Sequence, residues 1–269
     1  MTDANMTVAA LGRVFVKATQ FLEPSVVDVD ADGIRHDRAF ALVEADDTLV
    51  NSDQHRVFVR LRFDYDAAAE RLVLTLPDGR QIAGPAAPGG RRFGINHFGL
   101  RTIEAVEIEG PWREALSEFA GRSIGLVRCQ SAGGGIDVFP VTLLTTGSLA
   151  RIARELGVDA VEASRFRAGV VIANDQEHAE DGWDGRLLRL GADCVLRVRT
   201  SVPRCAIPGF NPATGERDKD VMKGLIRYRE KVSLPDGLIP DYATPGFASY
   251  AEVVTPGPVA VGDAVTLLD

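Results

Sequence analysis

Turn signals recur so closely along this chain that few long elements can form between them. Asp32-Gly33, Asp46-Asp47, Asp78-Gly79, the Pro/Ala/Gly-rich stretch 84–90, Gly133-Gly-Gly135 and Gly262-Asp263 cut the sequence into short runs. Glycine accepts positive φ and aspartate bonds its own backbone, so such pairs turn the chain. The runs between them are strand-length and apolar: 7–16, 26–31, 39–43, 123–128, 139–145, 170–173, 187–190 and 194–199. In the last, Cys194, Leu196 and Val198 alternate with Val195, Arg197 and Arg199, which places Cys194 on an apolar face and in the core. Residues 71–82 read as a hairpin with Asp78-Gly79 at its tip.

Only three stretches carry a helical pattern. In 111–121, proline opens the first turn, Trp112, Ala115, Leu116 and Phe119 share a face, and Gly121 ends it. Ser148 reads as the cap of a helix over 149–156 that Gly157 closes, with Leu149, Ile152, Ala153 and Leu156 as its buried stripe. Residues 218–229 form the third. The fold class is therefore mostly β with short helices, built from barrel-like sheets. No strand–helix alternation and no GxGxxG fingerprint appear, which disfavours a dinucleotide-binding fold.

A chain of 269 residues holds one large or two small domains. The glycine triplet reads as a flexible joint, giving an N-terminal domain 1–127 and a second domain 128–269. No apolar run is long enough to span a bilayer, and Met-Thr-Asp-Ala-Asn-Met lacks a secretory pattern, so a cytoplasmic protein is expected. Cys129, Cys194 and Cys205 follow neither a CxxC spacing nor a disulfide framework. A net charge of −8 argues against a general nucleic-acid binder. An acidic chain that holds an anion must gather its cations locally.

Cys205 is placed for chemistry. It follows Arg204 at a strand end, among prolines and Gly209, and a neighbouring cation favours the thiolate. A small buried apolar residue is the alternative fate of such a cysteine. Lys17, Arg38, Arg165, Arg167, Arg204 and Arg35 stand at breaks in apolar runs, where loops over a rigid barrel collect ligands. Taken singly, each reads as an exposed or structural charge; together they suit an anionic ligand. Asp137 reads equally as a turn acid, and Tyr250 as a rim or core aromatic. Glu180 and Asp181 read as turn residues, with Trp183 anchoring their loop. The four histidines do not cluster and read as surface or hydrogen-bonding residues.

These residues, in this order, resemble the MOSC domain family, named for the C-terminal module of molybdenum cofactor sulfurases, preceded by its companion N-terminal β-barrel. The matching marks are Val16-Lys17, Gly33-Ile-Arg-His-Asp-Arg38, Arg165-Phe-Arg167, Ala179-Glu-Asp-Gly-Trp183, Arg204-Cys205 with Asn211-Pro-Ala-Thr-Gly215, Tyr228-Arg229, and Gly257 with Val261-Gly-Asp263. The resemblance implies a molybdenum cofactor with Cys205 as thiolate ligand on the metal, a soft donor suited to it. It implies that Lys17, Arg38 and Arg167 hold the pterin's phosphate and polar edges, and that Arg204 lies beside the metal. It brings Asp137, Val138, Phe139 and Tyr250 to the same pocket. The implied activity is reduction of N-hydroxylated small molecules, with electrons from a separate redox protein. A cofactor or sulfur carrier using a Cys205 persulfide is the alternative. The chain departs from the family at Ala18, where serine is common, and at Ala168-Gly169, where Pro-Asn is common. Each hydrogen bond so lost costs on the order of 1 kcal/mol.

Overall fold

The computed structural model describes residues 6–52, 55–97, 99, 101–131, 133–234 and 244–268. In chain order the first half supplies β1 (Met6–Leu11), β2 (Val26–Asp30), β3 (Gly33–Ile34), β4 (Phe40–Glu44), β5 (Arg62–Asp66), β6 (Arg71–Thr75), β7 (Gln81–Pro85), β8 (Arg92–His97), β9 (Arg101–Glu107), α1 (Trp112–Ala120) and β10 (Ile124–Cys129). The second supplies β11 (Val141–Thr145), α2 (Thr146–Leu156), β12 (Val170–Ala173), β13 (Leu187–Leu190), β14 (Cys194–Pro203), α3 (Val221–Tyr228), β15 (Lys231–Val232), β16 (Thr244–Thr255), β17 (Gly257–Ala260) and β18 (Ala264–Leu268). The expected class, mostly β with short helices and barrel-like sheets, is what forms.

The main sheet runs β11-β12-β1-β18-β13-β14-β16-β15, and β16 also pairs with β11. That extra pairing closes seven strands into a barrel, which leaves them no open edge. Val8, Leu11, Leu143, Val170, Ile172, Leu188, Leu190, Cys194, Leu196, Val198 and Ala251 fill it. The first half builds a four-stranded sheet β4-β10-β9-β8 and a three-stranded sheet β5-β6-β7. Between them Phe40, Leu42, Phe58, Phe63, Leu72, Leu74, Trp112, Leu116 and Leu126 form a second core.

Strand pairing crosses the two halves of the sequence. β1 lies in the barrel between β12 and β18, and β17 pairs with β2. The run expected as one strand over 7–16 therefore ends early. β1 stops at Leu11, the Gly12 amide donates to the Gly169 carbonyl, and residues 13–16 leave the barrel for the first-half core. There Val16 bridges Phe40 in parallel. Only glycine fits at 12, because a Cβ would collide with the Phe21 ring and the Ala168 carbonyl.

The helix α2 begins before its expected cap. Thr145, not Ser148, is the cap: its side chain accepts the Ser148 amide. The Ser148 hydroxyl is taken by Glu180, 2.7 Å away. Glu180 is fully buried and also accepts from Thr145 Oγ1 at 2.6 Å, so it ties α2 to the barrel, and its carboxyl is pushed up by burial. Gly133-Gly-Gly135, expected as a joint, is tightly packed at its end. A Cβ on Gly135 would stand inside the envelope of the Arg38 carbonyl oxygen, with Arg38 Cβ at 3.0 Å.

Candidate functional site

Two backbone segments side by side present the first pair of cations. The Lys17 amide donates to the Phe40 carbonyl at 2.8 Å, and the Arg38 amide to that of Val14 at 2.6 Å. Val16 and Phe40 are fully buried, so hydrophobic burial sets where Lys17 and Arg38 stand. Arg38 takes a left-handed φ of 51°, as do Ala18 at 71° and Arg167 at 51°. Non-glycine residues hold that conformation only where their surroundings enforce it, and they concentrate at functional sites.

Lys17 is buried. Its Nζ donates to the Gly135 carbonyl at 2.7 Å and pairs with Asp137 Oδ1 at 2.5 Å. His97 Nε2 stands 3.2 Å from the same oxygen. Burial opposes ionisation of Asp137, but Lys17, the His97 hydrogen bond and Arg38 outweigh it and hold its carboxyl well below the carboxylate range. Arg38 pairs with buried Asp37, whose other oxygen accepts the Val14 amide. Burial disfavours the Arg38 charge, yet Asp37 and Asp137 carry its pKa above the usual value.

Arg167 comes from the second half. It follows the 3-10 turn Ala163–Phe166, and both its Nη atoms donate to the Thr19 carbonyl at 3.1 Å. Its guanidinium lies 5.2 Å from the Phe21 ring centre. Burial and then Arg38 push it down to about 10. Arg204 follows Pro203, which ends β14. Its Nε donates to the Phe247 carbonyl at 2.7 Å and its Nη1 to that of Phe166 at 3.0 Å. Burial also pushes Arg204 down to about 10. Among the described residues its Nη2 is buried and has no partner.

Cys205 is exposed, whereas Cys129 and Cys194 are buried and pushed up to about 11 by burial. Cys205 directly follows Arg204 beyond the end of β14, so its sulfur stands on the segment that carries that guanidinium. Tyr250 is buried, its ring 5.4 Å from that of Phe139, and burial drives its hydroxyl pKa upward. Val138 and Phe139 pack partly buried against the same core. The structure thus brings Lys17, Arg38, Asp137 and Arg167 together from both halves of the chain, with Tyr250 within reach of Arg38 and Arg204, Cys205 next to Arg204, and Val138 and Phe139 following Asp137.

Two of the six strand-end cations lie elsewhere. Arg165 has a fully buried side chain locked by Asp218 at 2.7 Å and Glu162 at 2.5 Å, a structural pair. Arg35 is exposed and bonds Asp28 and Asp30. Sequence reasoning passed over His97, Asp37, Thr19 and Phe21. Of the two readings given to the histidines, surface or hydrogen-bonding, His97 takes the second: it is 1% exposed and stands against Asp137. The single available signal was Asp37 beside Arg38, a carboxylate next to a candidate anion-binding cation.

The charges do not balance. Lys17, Arg38, Arg167 and Arg204 face Asp37 and Asp137, an excess of two positive charges in a largely buried place, or of one when Cys205 is a thiolate. Buried charge is costly unless paired. The arrangement is therefore suited to an anion.

A family profile described as MOSC domain matches residues 130–266. The human protein "Mitochondrial amidoxime-reducing component 1" is 32% identical over 133 residues, 49% of this chain and 38% of that protein. A "Molybdenum cofactor sulfurase" of Caenorhabditis briggsae is 23% identical over 237 residues, 86% of this chain and 33% of that protein. The chain thus spans well under half the length of these curated relatives. A solved structure of the YUAD protein from Bacillus subtilis aligns over 97% of this chain and 94% of its own, at 11% identity and a TM-score of 0.44.

Proposed function

The chain belongs to the MOSC domain family, and from that premise we propose that it binds a molybdenum cofactor and acts as an oxidoreductase on N-hydroxylated small molecules, with electrons from a separate redox protein. The observation that carries this reading is the excess of buried positive charge beside an exposed Cys205, with Arg204 Nη2 unpartnered among the described residues. A phosphate-bearing pterin fits that donor set, since guanidinium and ammonium groups are natural phosphate partners. When bound, the cofactor supplies a metal that takes up two electrons and passes them to the substrate.

The residues divide the work. Lys17, Arg38 and Arg167 neutralise the cofactor's anionic end, and Asp37, Asp137 and the Thr19 carbonyl hold those cations in place. Arg204 is fixed by two carbonyls, so it meets its ligand already oriented. Cys205 supplies a thiolate that the adjacent cations favour. Tyr250 and Phe139 form an apolar wall. Ala18 offers no hydroxyl. At Gly169 a side chain would press on Ile34 Cδ1 at 2.9 Å, so glycine here is matched to Ile34.

Elemental analysis of the purified protein tests this reading. Stoichiometric molybdenum, lost in Cys205→Ser with unchanged folding, supports it; full reductase turnover by that variant refutes it. A carrier role is the second reading, favoured by the sulfurase relative aligning over 86% of the chain. It predicts sulfane sulfur on Cys205 without metal.

A further inference from the structure

The stretch after Cys205 holds residues that the function proposed above leaves unused, with Asn211–Gly215 and the partner of Arg165 among them. Beyond the thiol, Ile207–Gly209 make one 3-10 turn in which Pro208 and Gly209 are buried. The chain then doubles back. Phe210 bridges Arg217, the Asn211 amide donates to the Glu216 carbonyl at 2.7 Å, and the Asp218 amide donates to that of Gly209 at 3.2 Å. At the tip, Asn211 Oδ1 accepts the Ala213 and Thr214 amides at 2.9 and 3.3 Å. An asparagine that closes a turn in this way fixes its shape without a core.

Two grips hold this hairpin. The first comes from the segment that ends at Arg167, and it takes the chain on both sides of Cys205. Before the thiol, the Phe166 carbonyl accepts from Arg204 Nη1 at 3.0 Å. After it, the fully buried Arg165 side chain meets both Asp218 oxygens at 2.7 Å and reaches the Pro208 carbonyl at 3.4 Å. Asn211 Nδ2 donates to the same carboxylate at 3.1 Å. The second grip comes from the first half. The Arg56 guanidinium lies 3.9 Å over the Phe210 ring. Gly215, at a left-handed φ of 73°, sits on the Arg56 backbone: a Cβ there would stand 2.7 Å from its carbonyl oxygen and 3.2 Å from Val59 Cγ2. Phe58, two residues on, is fully buried in the first-half core and anchors that seat. A planar cation over a ring adds attraction to this packing.

Cys205 is thus an exposed side chain on a backbone held from both directions. We propose that Arg56 and Arg165 are positioning residues for Cys205, acting through the hairpin to keep the thiol at a fixed place relative to Arg204 and Arg167. This role rests on the function proposed above, in which the sulfur is the metal ligand. The test alkylates the whole chain, prepared without cofactor, and follows Cys205 by mass spectrometry; buried Cys129 and Cys194 are the unreactive internal controls. Rates are measured with iodoacetate, an anion, and with iodoacetamide, its neutral counterpart. In both cases the thiolate displaces iodide, so the ratio of the two rates cancels thiolate fraction and access and reports the charge around the sulfur. At low salt that ratio is expected to exceed the ratio in the urea-unfolded chain by about threefold, the scale of an exposed charge contact. Phe210→Leu and the double change Arg165→Met, Asp218→Leu each undo one grip without altering net charge. Each is expected to lower the ratio about twofold or more, while circular dichroism shows a folded chain. A wild-type ratio equal to the unfolded one overturns the proposal, and a wild-type ratio in a folded variant overturns it for that grip. Metal analysis of protein from a molybdenum-replete host separates this role from the function. Bound molybdenum with a grip-independent ratio sinks the positioning role and leaves the enzyme; a metal-free protein with a grip-dependent ratio does the reverse.

Discussion

Gly135→Ala separates two accounts of the glycine triplet. A flexible joint would tolerate alanine, or gain from it, because the unfolded chain loses freedom. The structure requires the opposite. The new Cβ would meet the Arg38 carbonyl, a backbone atom that cannot rotate aside, with Arg38 Cβ at 3.0 Å behind it. The two segments must part, and the same movement pulls the Gly135 carbonyl from Lys17 Nζ, now 2.7 Å away. Overpacking of this kind costs roughly 1–3 kcal/mol, and a hydrogen bond to a charged group contributes roughly 1.5–3 kcal/mol. A loss of about 3 kcal/mol lowers the melting temperature of a chain this size by roughly 6–12 °C. Gly182→Ala is the control: no atom lies within 4 Å of its Cβ position, so that variant is expected to melt at or slightly above the wild type. Both are read by circular dichroism melts of purified protein. Gly135→Ala melting within about 2 °C of wild type would refute the packing argument and restore the joint.

Other consequences follow from the charges. Arg167→Gln is expected to abolish most of the thermal stabilisation that added inorganic phosphate gives the cofactor-free protein, about 1.4 kcal/mol at ten times Kd in the wild type; an unchanged phosphate response would show that Arg167 does not face the anion. Asp218→Asn leaves the fully buried Arg165 short of a partner and is expected to cost about 3 kcal/mol in urea unfolding. The double change Arg165→Met, Asp218→Leu should recover most of that. Burial pushes the His178 ring from 6.5 down to about 4, so the unfolded chain takes up this proton first. Its contribution to stability is complete above pH 6.5 and is lost as pH falls toward 4. His178→Asn, which tolerates the left-handed φ of 55°, is expected to flatten the melting temperature between those pH values.

Local chemistry was legible in the sequence wherever neighbours in the chain decide the outcome. Pro111 and Gly121 bracket α1, and Gly121 takes the left-handed φ of 67° expected of it. Asp78-Gly79 turns the hairpin β6–β7, and alternation placed Cys194 inside the barrel. Lys17, Arg38 and Arg204 were visible as breaks in apolar runs, although only Arg204 directly follows a strand end, since β1 stops at Leu11. The cap of α2 was misplaced by three residues. Thr145 and Ser148 are equally good caps in isolation, and only Glu180, 32 residues beyond Ser148, commits the Ser148 hydroxyl elsewhere.

Pairing between distant segments was decided by the tertiary structure alone. Side-chain alternation reports that a strand has an apolar face, not which strand lies beside it. β1 therefore read as part of the first half, although it completes the barrel of the second. Burial of His97 against Asp137, the clasp of Arg167 on the Thr19 carbonyl, and the close approach of Gly135 to Arg38 join residues from separate parts of the chain. The amino-acid order determined which side chains could carry charge, thiol or turn. Closure of the barrel and packing of the first-half core, which join segments distant in the chain, determined which of them meet.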